Sequence, residues 1–156
     1  MYSYQYLFGF TQSVFEKMGL VPAEARQAAD ILMQAELRNI STHGLMRLPE
    51  YVSLWQNKRI TVTPKFTVVH ETLSTALVDG GKGLGLVTAP KAMNLAIEKA
   101  RTAGTGWVAV RNSYHFGIAG YYAMKALEHD MIGITMTNAN PLVAPTFSKH
   151  GMLGTN

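Results

Sequence analysis

The chain has 156 residues, 47% of them hydrophobic, with a net charge of +4, 14 glycines, 6 prolines and no cysteine. That length and apolar content suffice for one globular core without staples, and the lack of cysteine excludes a disulfide framework and any thiolate-held zinc or iron–sulfur centre. The positive excess is spread over single Lys and Arg residues with no basic–aromatic stripe, which argues against nucleic acid and leaves an anionic substrate or cofactor compatible.

The opening MYSYQYLFGFTQSVFEKMGL has no basic n-region and no long apolar run, so it reads as neither a signal peptide nor a membrane span, and a cytoplasmic protein is expected. Leu7, Phe10, Val14, Phe15 and Met18 recur at helical spacing, and Gly19 suits the C-terminal cap. Pro22 opens a second helix carrying Ala25, Ala28, Ala29, Leu32, Ala35 and Glu36. A third, shorter helix is expected from about Leu45 to Gln56, with Pro49 in its first turn, where the missing N–H has no helical partner.

After NKRITVTP the texture changes. FTVVHE and STALVDG read as a β-hairpin, TAPKAMNLAIEKARTAG as a helix with Met93, Ala96, Ile97 and Ala100 on one face. GWVAVR reads as a strand, IAGYYAMKALEH as a helix and MIGITMT as a strand, the two strands being parallel neighbours. NANPLVAPTFSKHGMLGTN shows no helical or strand period, which in a compact domain marks a functional loop, a linker or a cut chain. The order predicts a mixed α/β (α+β) fold: a helical lobe over residues 1–57, then a mixed sheet with flanking helices over 58–156.

The stretch RNISTHGLMRLPEY carries the first chemistry. With a helix beginning near Gly44 or Leu45, Ser41 or Thr42 would cap it, and His43 and Arg47 would share its N-terminal end, where free amides favour an anion. Arg47 could grip a carboxylate through two parallel hydrogen bonds, and His43 could exchange a proton with oxygen on the neighbouring carbon. The pair fits a 2-hydroxy or 2-keto acid. A capping histidine and a solvated arginine fit the motif as well.

His115, in VRNSYHFGIAGYY, follows a strand at its carboxyl end, the edge where ligands gather in open α/β sheets. A structural histidine bonded to a carbonyl is the plainer alternative. VDGGKGLGLV follows a strand and precedes a helix, but its G-x-G-x-G spacing is not the dinucleotide G-x-G-x-x-G, so it reads as a glycine-rich turn. Asn138 and Asn140 in TNANPLVAP offer donors and acceptors that a nicotinamide carboxamide could use, although Asn-Pro clusters are commonly turns. His70 and His129 read as surface or packing residues, His150 is isolated, and no metal-ligand spacing occurs, so no metal is expected.

Taken in order, RNISTHGLMRLPEY, VDGGKGLGLVTAPKAM, NSYHFGIAGYYA and TNANPLVAP…LGTN resemble the malate/L-lactate dehydrogenase group that lacks a Rossmann fold. That group includes malate, lactate, sulfolactate and ureidoglycolate dehydrogenases, diketogulonate reductase and cyclic imino-acid reductases. The resemblance spans nearly the whole chain. It implies NAD- or NADP-dependent hydride transfer between a 2-hydroxy acid and its 2-keto acid, in a homodimer. By matching position, His43 corresponds to the proton donor/acceptor, Arg47 to the carboxylate-binding arginine and His115 to a second active-site histidine. Thr155 corresponds to a substrate-contacting threonine, and Ala139 and Asn140 to a cofactor-lining stretch.

Three departures stand beside the resemblance. Thr42 occupies a place usually held by serine, and Phe147-Ser148-Lys149 replaces a glycine pair. Members of the group are also about twice as long, continuing into more of the cofactor lobe and a further catalytic aspartate. The competing expectation is therefore a non-catalytic fragment that folds or acts only with its missing half.

Overall fold

The computed structural model describes residues 2–154. Helix α1 (Tyr4–Met18) starts at Ser3, whose Oγ accepts the Tyr6 N–H, and stops at Gly19, which takes a left-handed φ of 104°. Its buried stripe is Thr11, Phe15 and Met18, at i, i+4 and i+7. Phe10, expected on that face, is instead exposed. Thr11 takes the inward position beside it and satisfies its hydroxyl on the Leu7 carbonyl at 2.7 Å, one turn back.

Helix α2 (Pro22–Leu37) begins on proline as expected and buries Ala25, Ala28, Ala29, Leu32 and Ala35. Small residues there let neighbouring elements approach closely. Helix α3 (Leu48–Gln56) begins three residues later than its spacing suggests. Proline is most at home at the first helical positions, and Pro49 fixes the start there; the residues before it form two separate 3-10 turns, Ser41–His43 and Leu45–Arg47.

Strands β1 (Thr67–Glu71) and β2 (Thr75–Gly83) form the expected antiparallel hairpin, with a bulge between Val68 and His70. Helix α4 (Gly85–Ala103) then crosses over, and β3 (Trp107–Ser113) returns parallel to β2, giving the order β1-β2-β3. A crossover helix is what a parallel neighbour requires. Helix α4 starts at Gly85, before the expected TAPKAM, because Val87 and Thr88 both donate to the Leu84 carbonyl and open an extra turn. Ile97 is buried on its inner face, with Met93, Ala96 and Ala100 half-buried beside it. Helix α5 (Ala119–Leu127) closes the described secondary structure.

One core cluster joins the elements. Phe15, Ile31, Leu32 and Tyr51 from the helical part meet Leu84, Leu86, Val87 and Tyr122 from the part that follows. The sheet edge and the helical layer are thereby held in register, which is what brings His43 to His115.

The expected strand MIGITMT, paired with GWVAVR, is not formed: β3 is paired to β2, and residues 131–137 make no ladder among the described residues. The period-two pattern behind the expectation is real, since 131, 133 and 135 are half-buried while 132, 134 and 136 are exposed. A strand pattern needs a neighbour to become a strand, and here the inward face lies on α5, where a Cβ at Gly133 would sit 2.0 Å from the Ala123 carbonyl oxygen. The tail has little regular structure, as its sequence indicates, apart from one antiparallel bridge between Val143 and Leu153. No helix among the described residues is long and apolar enough to cross a membrane.

Candidate active site

The turn that carries His43 and Arg47 is pinned from behind by Glu36. One carboxylate oxygen accepts the Leu45 N–H at 2.7 Å, and the other accepts the Ser41 hydroxyl at 3.1 Å. Gly44 is what lets the carboxylate in: a Cβ there would stand 2.2 Å from Glu36 Oε1. Neither Ser41 nor Thr42 caps a helix. The Thr42 hydroxyl lies 3.0 Å from His43 Nδ1, and the Thr42 carbonyl accepts Arg47 Nε–H at 2.7 Å, so one residue orients both basic side chains. The hydroxyl kept at this departure from the serine pattern therefore has a definite partner.

The helix-end anion site expected from the sequence is absent here. The amides of His43, Gly44 and Arg47 are spent on the carbonyls of Ile40, Ser41 and Gly44, and α3 starts only after Arg47. What this turn leaves to offer an anion is the Arg47 side chain. Its Nη1 is bridged to Glu50 at 2.8 Å, and of the five guanidinium N–H bonds two are engaged, leaving one on Nη1 and both on Nη2. Those remaining donors suit an end-on carboxylate that shares Nη1 with Glu50.

His115 arrives from the other side. Strand β3 ends at Ser113, whose hydroxyl bonds Thr88 at 2.6 Å, and the Tyr114 N–H donates to the Gly83 carbonyl. Gly85 opens α4 directly beneath: a Cβ there would meet the Tyr114 oxygen at 2.2 Å and the His115 oxygen at 2.5 Å. The stretch read as a glycine-rich turn thus works, at Gly85, through close backbone approach. The two histidine rings stack with centroids 5.4 Å apart and planes 26° from parallel. Tyr51 Oη lies 2.6 Å from His115 Nδ1, and the Gly117 N–H donates to the same nitrogen at 3.3 Å.

Burial, and then the charge of Arg47, lower the His43 pKa below its ordinary 6.5. His115 is lowered by burial first, then by Arg47 and His43, against a smaller opposing effect of Glu50. Both rings therefore favour the neutral form at neutral pH. Burial pushes the Tyr51 hydroxyl far above the usual phenol range, so it stays a proton-bearing donor.

Of the residues singled out in the sequence, His43, Arg47 and His115 converge. Ala139 and Asn140 lie in the exposed tail, where the Asn140 carbonyl accepts the Leu142 N–H, and no hydrogen bond joins them to the histidines among the described residues. Gly154 comes against Ala139, a Cβ there falling 2.8 Å from the alanine methyl, while Thr155 lies outside the described residues. Glu36, Tyr51 and Glu50 emerge only in three dimensions. Tyr51 sits four residues after Arg47, one helical turn on, which is the only sequence signal it offered.

Residues 2–156 match the family model for malate/L-lactate dehydrogenase. The chain belongs to this family. It is 51% identical over 150 residues to a malate dehydrogenase of Pyrococcus abyssi, covering 96% of this chain and 41% of that protein. The solved malate dehydrogenase of Pyrococcus horikoshii superposes with a TM-score of 0.92 at 46% identity, covering 97% of this chain and 43% of the other. The sulfolactate dehydrogenase of Methanocaldococcus jannaschii gives 0.94 at 41% identity, covering 98% and 44%. The chain thus spans less than half the length of the relatives it matches, and the non-Rossmann α/β arrangement expected from its motifs agrees with those structures.

Proposed function

We propose that this chain carries the acid-binding and proton-transfer residues of a 2-hydroxy-acid dehydrogenase that uses NAD or NADP. The observation that supports this most is the stacked His43–His115 pair beside Arg47, built from two distant segments of a chain whose relatives are named as malate and sulfolactate dehydrogenases. Arg47 holds the carboxylate of a small 2-hydroxy or 2-keto acid with its remaining N–H donors. His43, with Nδ1 on the Thr42 hydroxyl, works through Nε2. Neutral His43 accepts the hydroxyl proton in the oxidation direction and, once charged, returns it to the carbonyl oxygen in reduction. His115 lies against His43 to stabilise charge on the same oxygen.

A bound nicotinamide supplies or accepts the hydride at C2 of the acid. The exposed carboxamides of Asn138 and Asn140, each with a donor and an acceptor, fit the carboxamide of that ring, and Ala139 and Asn140 would hold it. A cytoplasmic homodimer is the setting we propose, by resemblance to the family.

A second reading has its own support. Ile132, Ile134 and Met136 are exposed on a strand pattern without a partner among the described residues, on a chain that matches 41–44% of its relatives' length. In that reading the residues act only when joined to the remainder of such an enzyme. One assay addresses both: oxidation of NADH or NADPH by oxaloacetate, pyruvate or glyoxylate, followed by absorbance of the reduced cofactor. Turnover by the chain alone supports the first reading, turnover only with the complementary polypeptide supports the second, and none in either setting refutes the dehydrogenase role.

A further inference from the structure

The two histidines are partnered differently at Nδ1. Among the described residues, His43 Nδ1 faces only the Thr42 hydroxyl at 3.0 Å, a group that rotates to donate or to accept. That ring can gain and lose a proton without losing its bond. His115 Nδ1 faces the Gly117 N–H at 3.3 Å, which can only donate, and the Tyr51 hydroxyl at 2.6 Å. Tyr51 is fully buried, so its hydroxyl needs an internal acceptor. A proton on His115 Nδ1 would confront the amide proton of Gly117. Turning the ring over would place a carbon at the same point and leave both donors without a partner.

We propose that Tyr51, with the Gly117 amide, is a positioning residue that locks His115 in the Nε2–H tautomer. His115 is thereby a fixed hydrogen-bond donor to the substrate oxygen, and the moving proton is left to His43. The division of labour rests on the dehydrogenase reading; the lock itself does not. The charged and titratable groups acting on His115 favour the neutral ring, the state in which one nitrogen is bare and can be locked. Arg47 and His43 oppose a charge on it more than Glu50 favours one, and burial opposes it most.

Ring-nitrogen NMR of histidine-labelled protein tests the lock, with His115 signals assigned by their loss in His115→Gln. The wild type is expected to show bare Nδ1 and protonated Nε2 on His115 across the neutral range. In Tyr51→Phe, which keeps the aromatic contact to Phe15 at 6.3 Å, the Nδ1 signal should lose the part of its hydrogen-bonded shift due to the hydroxyl, leaving only the longer Gly117 bond. The His115 midpoint should rise, because the hydroxyl that donates to Nδ1 favours the neutral ring and is gone, while the Thr42-bound His43 ring keeps its own nitrogen pattern. A wild-type His115 carrying its proton on Nδ1 would overturn the proposal, and that spectrum decides the matter even if the variant does not fold. Identical His115 shifts and midpoints in a folded Tyr51→Phe would overturn it too. Failure of cofactor turnover would leave these spectra unaffected, so the two readings fail separately.

Discussion

Glu36→Ala is the perturbation that bears most directly on how the site is built. The substitution removes the acceptor of the Leu45 N–H and of the Ser41 hydroxyl in one step. The hydroxyl, on a half-buried residue, can turn to water. The amide, part-buried in the tight bend between two 3-10 turns, cannot turn away as the hydroxyl can, and a donor left unsatisfied there costs up to the about 1–3 kcal/mol of a buried one. A net loss of about 2 kcal/mol follows, equivalent to about 4–8 °C in melting temperature for a chain of this size. Glu36→Gln separates the bonds from the charge: its amide oxygen still accepts from Leu45 and its NH2 can donate to Ser41, so its loss should stay below about 1 kcal/mol. Urea unfolding of the three proteins measures both values, and broadening of the His43 ring signals in Glu36→Ala reports the loosened turn. Losses within about 0.5 kcal/mol of wild type for both variants, the range of ordinary surface changes, would refute the pinning role.

Other outcomes follow from the same geometry. In the catalytically competent form, His43→Ala should lower kcat by roughly 10²–10⁴-fold while circular dichroism stays unchanged; steady-state turnover at the wild-type rate would remove His43 from proton transfer. Arg47→Lys should raise KM for the keto acid roughly tenfold or more, because a point charge replaces a planar fork and the Thr42 carbonyl loses its Nε–H partner; an unchanged KM counts against carboxylate binding. Both histidines have folded-state pKa values below 6.5, so the unfolded chain takes up more protons just below that pH. The associated stability is therefore complete above 6.5 and is lost as pH falls through the lowered folded values. Melting temperature should drop on acidification from neutral to the mid-acid range, and the slope should flatten in the His43→Asn/His115→Gln double variant.

Local signals in the sequence were strong where one residue decides one feature. Gly19, Pro22, the β-hairpin and the burial of Ile97 all follow from short-range chemistry, and the structure places them as read. Structure and expectation part where two local rules compete. Leu45 begins an apolar helical spacing, yet Pro49 sets the first turn of α3 and leaves His43 and Arg47 in 3-10 turns. Phe10 fits a helical stripe by hydrophobicity, yet Thr11 fills the inward place because its hydroxyl can bond within the helix. Residues 131–137 carry an alternating pattern whose partner strand is nowhere among the described residues. In the site, His43, Arg47 and His115 could be named because each sits in a distinctive stretch. Glu36 and Tyr51 could not, since their roles depend on contacts with the Leu45 amide and, across 64 positions, with His115.

The proposed convergence of two histidines and one arginine on a single small acid is best tested by following both imidazole rings during titration with oxaloacetate. Saturable shifts of His43 and His115 together, abolished in Arg47→Ala, are expected if the carboxylate is held by Arg47 and the keto oxygen lies between the rings. Rings that stay still, or that respond equally when Arg47 is gone, would contradict the site as described.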